Sequence, residues 1–168
     1  MQSRPADCRS RIAARVTIEV RNGEPSDREF IADLAKRTVQ TSVAPFRHPP
    51  ASALERALSR LLLAVDEQPH VTLVAECDAR RAGFILLIDG LPDEMTAMPQ
   101  GFIAYMAVEP ALQRRGVGSA LLKAAETEAK RRGLPYMTLM VTEGNLAAQT
   151  LYERGGYVTE RRLLCKPL

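Results

Sequence analysis

Long apolar runs are missing from this chain of 168 residues. The longest, residues 61–65 and 84–88, fall far short of the ~20 residues that span a bilayer, so no membrane partner is expected. The first 15 residues carry Arg4, Arg9, Arg11 and Arg15 but no apolar stretch of the kind a secretory signal requires, and are read as a flexible basic N-terminal arm. Cysteine is scarce: Cys8, Cys77 and Cys165 show neither CxxC nor Cys/His spacing, which argues against a disulfide framework and a zinc site. A reducing, cytoplasmic setting without a bound metal is the expectation. No charge of one sign dominates, the formal net charge being +3, and the arginines are not interleaved with aromatics as in a nucleic-acid groove. That balance suits an anionic small-molecule ligand.

What is present is ordinary for a globular protein: 46% hydrophobic residues, 26% charged, 11 prolines and 10 glycines. A domain of about 150 residues buries roughly 70% of its extended surface, so residues 16–168 need only one core. Val16, Ile18 and Val20 alternate with polar residues, which predicts a strand over 16–20 turned by Asn22-Gly23. Ser26 and Glu29 have the spacing of a capping box, and Phe30, Ile31, Leu34 and Ala35 supply the apolar face of a helix over 27–39. Pro45, Pro49 and Pro50 make residues 41–50 a loop. A second helix follows from the spacing of Leu54, Leu58, Leu61, Leu62 and Val65.

Three short apolar runs, 71–75, 84–88 and 102–108, read as strands. The first two are close enough for a hairpin, and an acidic connection over 89–100 joins the second to the third. Strict alternation in the third places Ile103, Tyr105 and Ala107 opposite Phe102, Ala104, Met106 and Val108, with both faces buried. Leu121, Leu122, Ala125 and Ala129 stripe a helix over 118–132 that stops at Gly133. A strand over 137–142, a short helix over 145–154 ended by Gly155-Gly156, and a terminal strand over 157–166 complete a mixed α/β (α+β) order, β α α β β β α β α β.

Gln113-Arg114-Arg115-Gly116-Val117-Gly118 lies between a strand and the start of the most regular helix. Helix N-termini offer unpaired N–H groups and the positive dipole end, and glycines let a phosphate approach the backbone, so this loop is a candidate pyrophosphate site. A plain surface turn is the alternative. A Walker A loop is excluded because no lysine precedes Ser119, and Leu121 stands where a Rossmann fingerprint needs its third glycine.

The stretch from Val108-Glu109-Pro110 to Gly116-Val117-Gly118 resembles the acetyl-CoA motif of the GNAT superfamily of N-acetyltransferases, Arg/Gln-x-x-Gly-x-Gly/Ala. Asn145 followed by Leu151-Tyr152-Glu153-Arg154-Gly155-Gly156-Tyr157 is similar to the family's second block, with Tyr157 in place of Phe. The resemblance, over about 16–166, implies a GNAT-like fold: a central, mostly antiparallel sheet with a splayed parallel pair and helices on both faces. It further implies that pantetheine lies against the backbone of Met106, Ala107 and Val108. The pyrophosphate would then rest on Gln113, Arg114, Arg115, Gly116, Val117, Gly118 and Ser119.

For catalysis the resemblance implies Tyr152 as general acid, also in contact with acetyl-CoA, with the Val108 N–H at the oxyanion; a tyrosine that merely packs the last helix is the alternative. Asn145 either anchors pantetheine or caps that helix. Relatives that acetylate protein N-termini place a basic glutamate where this chain has Met140, which leaves Glu76, Glu109, Glu143 or water as the base. The acceptor, a small-molecule or peptide amine, would enter between residues 41–50, with Phe46, Arg47 and His48, and residues 89–100, with Asp93 and Glu94. A homodimer through the last strands is compatible with this order. A non-catalytic acyl-CoA-binding regulatory module is the competing function, and a different nucleotide pyrophosphate on the loop is the third.

Overall fold

The computed structural model describes residues 17–168. The basic arm and Val16 lie outside the described residues. Strand β1 spans Ile18–Asn22, two residues later than alternation alone indicates, and helix α1 spans Arg28–Thr38. Between them the Ser26/Glu29 capping box is replaced by a 3-10 turn at Pro25–Asp27, in which the Glu24 N–H donates to the Asp27 carboxylate at 2.8 Å. The reason is tertiary: Asp27 is fully buried and also accepts from Arg21 of β1 and Arg81. Helix α2, Ala51–Asp66, begins directly after Pro50.

Strands β2 (His70–Cys77), β3 (Arg80–Pro92) and β4 (Pro99–Val108) form an antiparallel meander with β1, and β5 (Met137–Leu139) adds parallel to β4, giving the order β1-β2-β3-β4-β5. The β2–β3 link is a two-residue hairpin whose Asp78 and Ala79 both have positive φ, 50° and 60°, matching the right-handed twist of the strands. β3 and β4 extend into the acidic segment, so the expected long connection shrinks to residues 93–98.

Helices α1 and α2 cover one face, where Leu34, Leu58 and Val65 meet Val74, Phe84 and Leu86. Helix α3 (Val117–Arg131) covers the other, where Leu121, Leu122 and Ala125 meet Leu73, Ile85 and Leu87. Gly133, at φ 74°, ends α3: its N–H donates to Lys130 O and that of Leu134 to Ala129 O, both at 3.0 Å, the pairing of a Schellman motif.

Two further expectations fail. Strict alternation in β4 breaks because the register with β3 shifts between Leu86 and Leu87, leaving Ala104 as the extra residue. Ile103, Met106 and Val108 therefore face the α3 side, while Phe102, Ala104, Tyr105 and Ala107 face α1 and α2. The terminal strand over 157–166 is not formed either: after helix α4 (Leu146–Arg154) no residue pairs into the sheet. β5 stops at Leu139 and offers only a three-residue edge. The tail is held instead by side chains, Arg161 on Asp93 at 2.5 Å and Arg47 on the Cys165 sulfur at 3.4 Å.

Candidate active site

The parallel pairing of β4 and β5 is confined to Gly101↔Met137, Phe102↔Thr138 and Ile103↔Leu139. Beyond it β4 runs on, paired only with β3 through Ile85↔Met106, Phe84↔Ala107 and Gly83↔Val108, while the segment after β5 leaves the sheet with Met140 82% exposed. The outer edge of residues 104–108 thus has no strand partner among the described residues, and backbone groups left without one need a ligand or water. The Thr138 hydroxyl, on the last stretch of paired β5, is buried and has no partner among the described residues.

This open edge points into the loop singled out from sequence. A 3-10 turn at Pro110–Leu112 leads out of β4; Arg114 and Gly116 take positive φ, 64° and 92°; α3 then starts at Val117. No side chain caps α3, and its first intrahelical bond here is Ala120 N–H to Gly116 O at 3.0 Å. Helix geometry leaves the amides of Val117, Gly118 and Ser119 without intrahelical acceptors at the positive end of a 15-residue helix. Gln113, Arg114, Arg115 and Ser119 are exposed around them. An extended chain along β4 ending in a pyrophosphate fits these groups: an unpaired strand edge for its amides and a cationic helix start for its phosphates.

The two glycines divide the work. Gly116 is required by its positive φ. Gly118 makes room for α4, since a Cβ there would lie 3.0 Å from the Leu151 Cδ2. Val117 is buried in the core and contributes backbone alone.

Helix α4 brings in Asn145 and Tyr152. Asn145 is the N-cap, its Oδ1 accepting from Ala148 N–H at 3.2 Å. Tyr152 is half-buried on the same core as Met106 and Val108, its ring 5.8 Å from that of Tyr157. Burial pushes its phenol up to about 12. Tyr157 is pushed up as well, by burial first and then by Glu126 and Tyr152.

The three glutamates named as bases are placed apart. Glu76, on β2, pairs with Arg21 at 2.8 Å, two strands away from β4. Glu143 is exposed in the turn before α4. Glu109 follows β4 directly, but both its carboxylate oxygens accept from Arg37, at 2.7 and 3.0 Å. Pro45 packs against the space over Gly144, Arg47 stacks on Phe46 at 5.7 Å, and His48 is exposed. Asp93 accepts from Thr96, Met95 and Arg161, which hold its carboxyl well below the usual range, and Glu94 is exposed beside it. The tail therefore joins the two loops assigned to the acceptor. Sequence reasoning missed this link, and also the Tyr105 hydroxyl on Ala35 O at 3.2 Å, because neither leaves a local signal.

The architecture is that of solved acetyl transferases. One from Pyrococcus furiosus superposes with a TM-score of 0.77 at 24% identity, covering 90% of this chain and 100% of that one. The aminoglycoside N-acetyltransferase AAC(6')-Iy, solved with CoA, superposes with a TM-score of 0.65 at 17% identity, covering 91% and 95%. A profile of the acetyltransferase (GNAT) family matches residues 32–157, and the chain belongs to that family. A mycothiol acetyltransferase of Acidimicrobium ferrooxidans is 34% identical over 92 residues, 55% of this chain and 29% of that protein. An acetyltransferase of Yersinia enterocolitica is 29% identical over 101 residues, 60% of this chain and 66% of that protein. The chain thus spans less than two thirds of either relative. Among the described residues no group of three or more His, Cys, Asp or Glu could hold a metal ion, and no helix is long and apolar enough to cross a membrane.

Proposed function

We propose that this protein is an N-acetyltransferase that moves an acetyl group from acetyl-CoA to a primary amine by direct attack in a ternary complex. The observation that carries the proposal is the unpaired edge of residues 104–108 running straight into the uncapped start of α3. Met106, Ala107 and Val108 bind the pantetheine amides through their backbone. Gln113, Arg114, Arg115 and Gly116, with the amides of Val117, Gly118 and Ser119, hold the pyrophosphate.

In the reaction the amine nitrogen forms a bond to the thioester carbon and the carbon–sulfur bond breaks. Val108 N–H donates to the oxygen that gains charge. Tyr152, protonated at neutral pH as any phenol is and raised further by burial, gives its proton to the departing sulfur. With Glu76 and Glu109 both engaged by arginines, the exposed Glu143 or water removes the amine's proton. The names of the mycothiol and aminoglycoside relatives support a small-molecule amine as acceptor.

The test is acetyl-CoA-dependent release of free thiol across a panel of amines. Tyr152→Phe is expected to lower kcat about a hundredfold with the KM for acetyl-CoA unchanged. Wild-type turnover in the variant would remove the acid role. The exposed Met140, where the resemblance places a glutamate in family members that acetylate protein N-termini, favours one rival, a non-catalytic acyl-CoA-binding module. Tight CoA binding with no thiol release on any amine would establish it.

A further inference from the structure

Glu109 is held at its N–H, its carbonyl and its carboxylate. Its N–H donates to Ala82 O at 2.8 Å, the last rung between β3 and β4; its carbonyl accepts from Leu112 N–H at 2.8 Å, closing the turn into the phosphate loop. Its carboxylate takes the two parallel bonds of Arg37, at 2.7 and 3.0 Å, from the last turn of α1. Arg37 is itself aimed by Asp33, one turn earlier, at 2.8 Å. Four residues before Glu109, on β4 itself, the Tyr105 hydroxyl donates to Ala35 O at 3.2 Å and lies 3.3 Å from the Thr38 hydroxyl. Helix α1 therefore grips the end of β4 at two points, along the stretch whose other edge is open.

We propose that Arg37 and Glu109 are a positioning pair for acetyl-CoA: they fix the end of β4, including the Val108 amide, relative to the phosphate loop. The proposal deepens the acetyltransferase assignment and rests on it. Three physical points support it. Planar guanidinium–carboxylate forks set angle as well as distance, which a single-point lysine contact does not. The partners are 72 residues apart, so the bond restrains the tertiary placement of β4 and not merely local structure. The Ala104 bulge and the unpaired outer edge leave this segment with one sheet neighbour, β3, so a second anchor is what defines its position. A corollary follows for the chemistry: Glu109 lies beside the site as a bound anion, and its task is geometric. Because α1 leads directly into residues 39–50, the same pair ties the acceptor-side loop to the donor-side strand.

The experiment measures CoA affinity by calorimetry, kcat and KM by thiol release, and thermal stability, for wild type, Arg37→Ala, Arg37→Lys, Glu109→Gln and the double variant Arg37→Ala/Glu109→Gln. The expected result is a three- to tenfold loss of CoA affinity in each of Arg37→Ala and Glu109→Gln, with the double variant no weaker than either. Arg37→Lys, which keeps the charge and loses the fork, should fall between Arg37→Ala and wild type. Glu109→Gln should keep the acidic limb of the pH profile of kcat. CoA affinity unchanged in every variant, with only the melting temperature lowered, would reduce the pair to a brace and overturn the proposal. Loss of the acidic limb in Glu109→Gln at unchanged CoA affinity would overturn it in favour of a base. Failure of wild type itself to bind CoA would instead remove the acetyltransferase assignment, and the pair's role with it.

Discussion

At the scale of single residues, Asp27 is the one buried charged group among the described residues. It is fully buried, and its two oxygens accept from Arg21 at 2.7 and 3.1 Å, from Arg81 at 2.6 Å and from the Glu24 N–H at 2.8 Å. The Arg21 bond above all, then the Glu24 amide and Arg81, hold its carboxyl well below the usual carboxylate range against the opposing effect of burial. Removing one partner of a buried pair costs about 3–5 kcal/mol, but Arg21 and Arg81 keep 33% and 40% of their side-chain surface and are partly solvated when orphaned. Asp27→Ala is therefore expected to destabilise by about 2–3 kcal/mol in urea unfolding at pH 7. A loss below ~1 kcal/mol would mean that the arginines rehydrate freely. Tyr152 gives a second prediction at this scale. With its phenol pushed up to about 12, the alkaline limb of kcat should not set in before roughly pH 10 on its account. A limb in wild type near pH 8.5 that disappears in Tyr152→Phe would contradict this.

At the scale of elements, α4 shows how a cap decides between two roles. Asn145 accepts from Ala148 N–H, so Asn145→Ala should cost about 1 kcal/mol and speed amide exchange over the first turn of the helix that carries Tyr152. Asp caps as well as Asn, so Asn145→Asp should restore stability. If it restores stability but not CoA affinity, the amide also contacts the donor. Periodicity made such helices legible: α1, α2 and α3 begin and end within a few residues of where their apolar spacing, prolines and Gly133 put them. The turn into α3 was legible too, because its glycines, its arginines and the helix start are contiguous. What alternation could not show was the extra residue at Ala104, since a bulge belongs to a pair of strands, and it reversed the facing of Tyr105, Met106, Ala107 and Val108. The terminal strand failed for a related reason: residues 157–166 have strand composition, but a strand needs an edge, and β5 supplies three residues. The Ser26/Glu29 box lost to a buried carboxylate whose arginines come from β1 and β3. Arg37 and Glu109, on different elements, left no local mark at all.

At the scale of the whole molecule, ion pairs at three corners fix how stability depends on pH. Asp27 joins α1's entry to β1 and β3; Asp93 joins the β3–β4 hairpin to the tail through Arg161; Glu128, pulled down to about 2 by Arg131 and Arg132, shares Arg132 with Asp89 and so ties α3 to β3. All three carboxyls are lower in the folded state than in the unfolded chain, where they lie near 4. The folded state then binds fewer protons than the unfolded state at mildly acidic pH, so stability must fall as pH falls. It is fully present above the unfolded values, and it is lost progressively as pH drops through 4 towards the folded ones. Exposure ranks the three: Asp93 and Glu128 keep 10% and 19% of their side-chain surface and are paired with the more exposed Arg161 and Arg131, at 45% and 67%, so water and salt reach those pairs, whereas Asp27 is enclosed. Urea unfolding of wild type should therefore give a stability that is level from about pH 8 to 5 and declines steeply between about pH 5 and 3. Asp27→Asn, with no proton to take up, should start lower and lose most of that slope, and Glu128→Gln should keep it. Adding salt to about 0.5 M should flatten the Glu128 contribution and leave that of Asp27. An unaltered slope in Asp27→Asn would move the proton linkage to the surface pairs, and with it the claim that one enclosed carboxylate at the mouth of α1 governs the acid limit of the fold.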